Sequence, residues 1–467
     1  MNELTINLDS RSKKPLYEQI YDHIKSDIQN GRLRYGEKLP STRALSKHLE
    51  VSRSTVELAY EQLVSEGYIE AKPYRGYFVC DVSDLYDLEI TLEEEPKTAK
   101  KQKPEQRIDF SPNEIDLEHF AFNAWRKVNK NMLSEDNGEL FRAGEGAGEP
   151  TFREAICNYL YQSRGVVCTP DRIIVGAGNE YLLMLLAQIL GEGRTVAMES
   201  PTYMQAYQTF CNLGYQVCGI AMDKQGMDVA KLQQEKADIV YVMPSHQFPM
   251  GTVMPLKRRM ELLKWAEAKD AYIIEDDHDS EFRYKGKPIP SLQGADKKDR
   301  VIYLGTFSRS IAPAIRVSYM VLPKHLMKVY RERCSFYAST VPRTQQMALA
   351  AFMQEGHFER HLNKMRSIYR KKHDFLMEEL KKRNWVRKIY GDNAGMHVLV
   401  EVNSKFTDEE LRKLALGIGI RIYPLSEYDI LGEQKTEYPM ILLGYGSLSE
   451  EEIKTGLEEL DKIIAFF

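Results

Sequence analysis

Leu39-Pro40-Ser41-Thr42-Arg43-Ala44-Leu45, then Val51-Ser52-Arg53-Ser54-Thr55-Val56, then Ala59-Tyr60-Glu61-Gln62-Leu63, set the architecture of the N-terminal part of this chain. Ser41 is a good N-cap, because its hydroxyl can accept from an amide of the first helical turn. The helix it starts turns Leu45 and Leu49 inward. Val51-Ser52 makes a turn, and Ser52 caps a further helix with Val56, Ala59, Tyr60 and Leu63 on one face. Gly67 ends that helix. Upstream, Pro15 suits a first helical turn, Leu16, Ile20, Ile24 and Ile28 recur every four residues, and Gly31 closes the run. Downstream, Tyr68-Ile69-Glu70-Ala71 and Gly76-Tyr77-Phe78-Val79 read as strands joined by a turn from Pro73 to Gly76. Residues 10–80 are therefore expected to form a winged helix-turn-helix.

Such a module lays its third helix in the major groove. Ser52, Arg53, Ser54 and Thr55 at the start of that helix offer hydroxyls and a guanidinium to phosphates and base edges, and arginine favours guanine. Arg43 and Lys47 on the second helix would hold the backbone, while Lys72 and Arg75 on the wing would reach the adjacent groove. A winged helix used only for protein contacts would leave these cations merely solvated. Their clustering at one helix start favours DNA.

The rest of the chain has a different texture. Residues 81–107 are poor in apolar side chains and include Glu93-Glu94-Glu95-Pro96 and several lysines, so a charged, solvated linker is expected. From 108 to 467, short apolar strands alternate with long helical patterns, which indicates an α/β body. Five stretches in it carry chemistry. Ile173-Ile174-Val175-Gly176-Ala177-Gly178-Asn179-Glu180 is a strand entering a helix whose N-terminal amides can seat a phosphate. Glu199-Ser200-Pro201-Thr202-Tyr203 ends a strand with an aromatic ring. Pro244-Ser245-His246-Gln247-Phe248-Pro249 follows a third apolar run. Tyr272-Ile273-Ile274-Glu275-Asp276-Asp277-His278-Asp279 ends in acids. Val301 to Ser310 leads through Thr306 and Ser308 to Arg316. In an open α/β sheet such strand ends line the ligand site. Any one of them alone would be an ordinary strand–loop transition.

The whole protein has 467 residues, 43% of them hydrophobic, and a formal net charge of −4, so a DNA-binding signal must be local rather than global. No apolar run is long enough to span a membrane, and the first residues are not those of a secretory signal. Six cysteines, none in a C-x-x-C pair, read as buried free thiols in a reducing cytoplasm. No metal-ligand spacing is present.

The Leu39–Leu45 and Val51–Gly67 stretches, with Gly76-Tyr77-Phe78-Val79, closely resemble the signature of the GntR family of transcription regulators. That resemblance implies operator binding, with Ser41, Arg43, Arg53, Thr55 and Gly76 at the DNA. Residues 108–467 resemble class I aminotransferases of fold type I. The combination resembles the MocR/GabR subfamily, whose wording is matched by Pro244–Pro249, by Ile274-Glu275-Asp276-Asp277 with Asp279-Ser280-Glu281-Phe282, and by Gly305-Thr306-Phe307-Ser308. The resemblance implies pyridoxal phosphate, a head-to-tail homodimer and effector-dependent transcription control. It puts Asp276 on the pyridine nitrogen, Gly178, Asn179, Thr306, Ser308 and Arg316 around the phosphate, and Tyr203 near the ring.

Departures from the family bear on mechanism. Arg309 stands where the family has the lysine that bonds the cofactor covalently, and a guanidinium is not a usable amine nucleophile at neutral pH. His278 stands where a tyrosine is usual; it can donate a hydrogen bond and, with an ordinary imidazole, also change charge near neutrality. The two arginines that grip a substrate carboxylate in relatives responsive to γ-aminobutyrate fall about Gln205 and at Ser447. No catalytic residue is therefore expected. Three readings stay open: a regulator whose pocket still holds the cofactor or a related ligand without a covalent bond, with Arg309 able to pair with the phosphate; an aminotransferase with an appended DNA-binding regulator; and a body that only dimerises the DNA-binding heads.

Overall fold

The computed structural model describes residues 6–9, 12, 14–82, 108–134, 138–284, 289–432 and 437–464. It divides into two compact units, Met1–Lys101 and Gln102–Phe467. Of the charged stretch 81–107, only residues 81 and 82 fall among the described residues.

The head runs α1 (Leu16–Gln29), α2 (Thr42–His48), α3 (Arg53–Ser65), β1 (Ile69–Lys72) and β2 (Gly76–Val79). Pro15 sits just before α1, as its N-cap with ψ 146°, rather than inside the first turn. The four-residue period of α1 does what it promised: Ile20, Ile24 and Ile28 are buried against Leu45, Val56, Ala59, Tyr60 and Leu63. Leu49 is only half-buried, because α2 stops at His48 and Leu49 is its C-cap. The Tyr60 hydroxyl donates to the Pro40 carbonyl at 3.0 Å, and its ring meets Tyr77 edge-on at 4.8 Å. Those two contacts fix α3 against both the entry to α2 and the wing. The wing is an antiparallel pair with Ile69 opposite Val79 and Lys72 opposite Gly76.

The body contains β3 (Ile108–Asp109), β4 (Ile173–Gly176), β5 (Thr195–Ser200), β6 (Gln216–Asp223), β7 (Gly226–Met227), β8 (Ile239–Val242), β9 (Tyr272–Asp277), β10 (Val301–Thr306), β11 (Ser318–Val321), β12 (Val386–Tyr390), β13 (His397–Val402), β14 (Ile420–Arg421), β15 (Tyr423–Pro424) and β16 (Met440–Gly444). Eight of them form one sheet in the order β4-β11-β10-β9-β8-β5-β6-β7. Strands β6, β5, β8, β9 and β10 are parallel, and β11 runs antiparallel to both β10 and β4. Hence β4, β5, β8, β9 and β10 all point the same way, and the five chemically suggestive stretches emerge at one edge of the sheet. The fully buried strands are near-continuous apolar runs, as a sheet covered on both faces requires. A second, four-stranded sheet in the order β12-β13-β16-β15 packs its own core with the helix Glu450–Ile464. Residues just past β3 return to the pocket because β3 pairs with β14.

The cysteines depart from expectation. All six are free, but only Cys334 is buried, four are half-buried and Cys211 is exposed on the helix Met204–Asn212. Cys157, Cys168 and Cys218 lie partly buried at the margins of the cores.

Candidate DNA-contact face and candidate ligand pocket

On the head, the polar start of α3 is partly structural. Ser52 is the N-cap: its Oγ accepts from the Thr55 amide at 3.2 Å and lies 2.9 Å from Ser54 Oγ and 2.7 Å from Thr55 Oγ1. Ser52→Ala is expected to destabilise the head by about 1 kcal/mol, read by chemical unfolding, whereas Ser54→Ala leaves that stability unchanged. Ser41 caps α2 in the same way, accepting from the Ala44 amide at 3.2 Å. Arg53 is exposed and pairs with Glu57 one turn along at 2.7 Å. Lys72 pairs with Glu70 at 2.8 Å and lies over the Phe78 ring. Exposed Arg43, Lys47 and Arg75 make no ion pair among the described residues. Gly76 has φ 105°, and a Cβ there would meet Lys38 Cε at 3.3 Å. Lys38 is the cation that sequence reasoning missed: its backbone bridges to Phe78, which puts an exposed ammonium at the base of the wing.

In the body, two clusters form at the sheet edge. The first is a cradle. Gly178 has φ 96° and caps the helix Asn179–Leu190, and a Cβ there would stand 2.3 Å from Arg316 Nη2. Arg316 is exposed and pairs with Glu180 at 2.8 Å. Thr306 pairs in register with Ser318, which pairs with Gly176, so the hydroxyl strand and the glycine turn are neighbours across β11. Thr306 Oγ1 accepts from the Ser308 amide at 3.1 Å and from Ser318 Oγ at 2.9 Å.

The second cluster surrounds Asp276, which is 1% exposed. Its carboxylate accepts from the Tyr241 hydroxyl, and from Asn179 Nδ2 at 3.3 and 3.5 Å. Burial raises the Asp276 carboxyl to about 7, against the lowering effect of those donors. Asn179 Oδ1 is buried with no partner. Tyr203 lies with its ring 5.5 Å from His278 and 5.9 Å from Phe248, and burial raises its hydroxyl to about 12. Tyr241, three residues before the Pro244–Pro249 stretch, was missed by sequence reasoning. Its orientation follows from the strand alternation of β8 beside β9.

Arg309 is 7% exposed and does not reach the phosphate cradle through any recorded hydrogen bond. Its Nη1 donates to the Pro112 carbonyl at 3.1 Å, and its Nη2 to Asn113 Oδ1 and to His278 Nε2, the latter at 3.1 Å. Segment Pro112–Asn113, just past β3, thus holds the guanidinium. The expectation that His278 changes charge near neutrality is corrected. Burial first, and then the Arg309 charge, lower its imidazole to about 3, and its Nε2 must stay unprotonated to accept from Arg309. Behind it, His246 Nδ1 lies 2.8 Å from an Asp279 carboxylate held below the usual range by its histidine neighbours despite burial. Gln205 and Ser447, where a carboxylate grip was sought, are both exposed and uncharged.

A winged helix-turn-helix joined to a large mixed sheet with this edge defines a DNA-binding head on an aminotransferase-like body. Comparison with known proteins agrees. The family described as "Bacterial regulatory proteins, gntR family" matches residues 16–79, and "Aminotransferase class I and II" matches residues 105–435. The chain is 41% identical over 453 residues to the uncharacterized HTH-type transcriptional regulator YdeL of Bacillus subtilis, covering 96% of each. It is 31% identical over 465 residues to the HTH-type pyridoxine biosynthesis transcriptional regulator PdxR of Corynebacterium glutamicum, covering 99% of each. Its fold is similar to that of the kynurenine aminotransferase of Pyrococcus horikoshii, with a TM-score of 0.68 at 24% identity over 77% of this chain and 91% of that one. The chain belongs to the HTH-type transcriptional regulators in which a GntR-type winged helix-turn-helix precedes a class I and II aminotransferase domain. Among the described residues, no helix is long and apolar enough to cross a membrane.

Proposed function

We propose that this protein is a cytoplasmic, homodimeric transcription regulator that binds operator DNA through its head and holds pyridoxal phosphate, or a close relative of it, non-covalently in its body as a sensor rather than as an enzyme. The observation that carries this reading is the contrast between Asp276 and Arg309. The buried acid and its donors suit a protonated ring nitrogen, while the position that should supply an amine supplies a guanidinium tied to Pro112, Asn113 and His278.

The residues present fit the ligand's two ends. Asp276 would hold the pyridine nitrogen, and the cradle of Gly178, Thr306, Ser308 and Arg316 would hold the phosphate through amides, hydroxyls and a charge-assisted bond. The close approach of Arg316 to Gly178 leaves no room for a side chain at the turn. Asn179, with an orphaned buried oxygen, would sit between the two ends. Tyr203 and His278 would flank the ring. When bound, the group supplies an aldehyde conjugated to an electron-withdrawing ring. Arg309 keeps its charge at the end of that ring's site and cannot take or give the proton that transamination moves, so turnover is not expected. A relative named for pyridoxine biosynthesis regulation supports a vitamer as ligand.

DNA binding is tested by fluorescence anisotropy on a duplex selected from a random-sequence pool. The affinity is expected to fall steeply with salt. Arg75→Ala should weaken binding about uniformly across sequences and lower the salt slope by about 1, whereas Arg53→Ala should cost about 1–3 kcal/mol and relax preference at one base pair. A salt-independent affinity, or none, refutes the head's assignment.

A further inference from the structure

A cavity of about 380 Å³ lies between the helix Pro150–Arg164, the segment after β9 and the helix His357–Lys381. Its wall carries donors that nothing satisfies. Ser280 Oγ and the Nε and Nη1 of Arg283 are buried and without a hydrogen-bond partner among the described residues. The main chain at Arg283 is anchored. Its backbone bridges to Ala394, and the flanking Tyr284 amide and Phe282 carbonyl bond to Asn393 and Gly395 at 3.2 and 2.9 Å. Arg366 adds a second guanidinium, with its Nε on the Glu281 carbonyl at 3.0 Å and its Nη1 on Asn363 at 2.7 Å.

Neither acid on the wall neutralises these cations. Glu281 accepts from the Tyr159 hydroxyl at 3.2 Å and makes no ion pair with Arg283 or Arg366 among the described residues, and burial, with the nearby Asp277 charge, pushes its carboxyl up and so disfavours its charge. Glu359 is exposed in the first turn of its helix, and no ion pair joins it to Arg283 or Arg366 among the described residues. Buried guanidinium donors without a bonded acceptor are costly, since each unmade bond costs the desolvation of its group. The cavity also touches the ligand pocket. Arg164 on its wall clamps Asp277, the neighbour of Asp276, at 2.7 and 3.1 Å, and reaches Ser245 at 2.6 Å.

We propose that this cavity is a second effector site, taking a small molecule that presents a phosphate or carboxylate to Arg283, Ser280 and Arg366. An occupant there lies one ion pair away from the acid that the proposed cofactor needs, which makes the two sites neighbours through Arg164 and Asp277.

The test uses full-length Arg316→Gln protein, so that the phosphate cradle is disabled and the outcome does not depend on whether pyridoxal phosphate binds beside Asp276. Melting is followed across a titration of inorganic phosphate and, in parallel, of succinate, with potassium chloride at matched ionic strength as the blank. The expected result is a saturable rise in Tm, on the order of 5 °C at saturation. It occurs with the anion whose group fits, is lost in the added Arg283→Gln variant and is weakened in the added Ser280→Ala variant. Should Arg283→Gln fail to fold, Ser280→Ala decides. No saturable rise with either anion, or an undiminished rise in the variants, overturns the proposal.

Discussion

Arg309→Lys is expected to turn a non-covalent pocket into a covalent one. The lysine amine would occupy the position from which the family bonds its cofactor, and the variant incubated with pyridoxal phosphate should develop the absorbance band of a lysine-bound cofactor that the native chain lacks. The physical basis is the guanidinium's high proton affinity: burial lowers it from its ordinary value, but the nearby Asp279 charge opposes that shift. A guanidinium's intrinsic proton affinity is so high that it stays protonated even there, and so offers no free amine as a nucleophile. The variant should also melt below the native chain in the absence of ligand. Lysine presents a single point charge and cannot span Pro112, Asn113 and His278 together. A variant that binds the cofactor but shows no such band would mean that the position does not face the aldehyde.

The second large effect belongs to Asp276→Asn. The native carboxyl stands at about 7 in the folded chain, above the ordinary 3.8, because burial disfavours its charge. The sign follows from that direction. The folded state binds this proton more tightly than the unfolded state, so the associated stability is full below the ordinary value and is lost as pH rises through about 7. Asparagine does not ionise. At pH 8 the ligand-free variant should therefore be more stable than the native chain, on the order of 2 kcal/mol, with the difference shrinking as pH falls and vanishing only below the ordinary value of 3.8. Affinity for pyridoxal phosphate should move the other way, falling about 10- to 100-fold, because the amide cannot supply the charge that a protonated ring nitrogen seeks. A variant less stable at pH 8 with unchanged affinity would remove Asp276 from the role given to it here.

Much of the architecture was legible in residue order. The Ile20, Ile24, Ile28 period and the Ser41 and Ser52 caps specify the head because each is a local signal agreeing with its neighbours. The five strand ends were legible too, since buried parallel strands are apolar runs that stop where small or polar residues begin. Their shared edge needed only that β4, β5, β8, β9 and β10 run in one direction. The partners of Arg309 were not legible. Pro112 and Asn113 reach it through a pairing of Ile108 with Ile420, and no local pattern announces a contact of that sequence separation. The neutrality of His278 was misread for a related reason: burial and a nearby guanidinium are tertiary properties, and the residue type alone suggested a switch. The Arg53–Glu57 pair, one helical turn apart, was readable in the sequence, and it shows that the α3 guanidinium has a rival partner to leave before it meets DNA.

The account stands or falls on how the native body holds its ligand. Purified full-length protein is titrated with pyridoxal phosphate while its Tm is followed. The saturated sample is then treated with borohydride, denatured, and its chain mass measured. The account predicts a saturable rise in Tm and a chain mass unchanged by the treatment, since reduction would trap a lysine-bound cofactor and none is formed. A chain carrying one pyridoxyl group at the pocket, or no rise in Tm at any concentration, would contradict it.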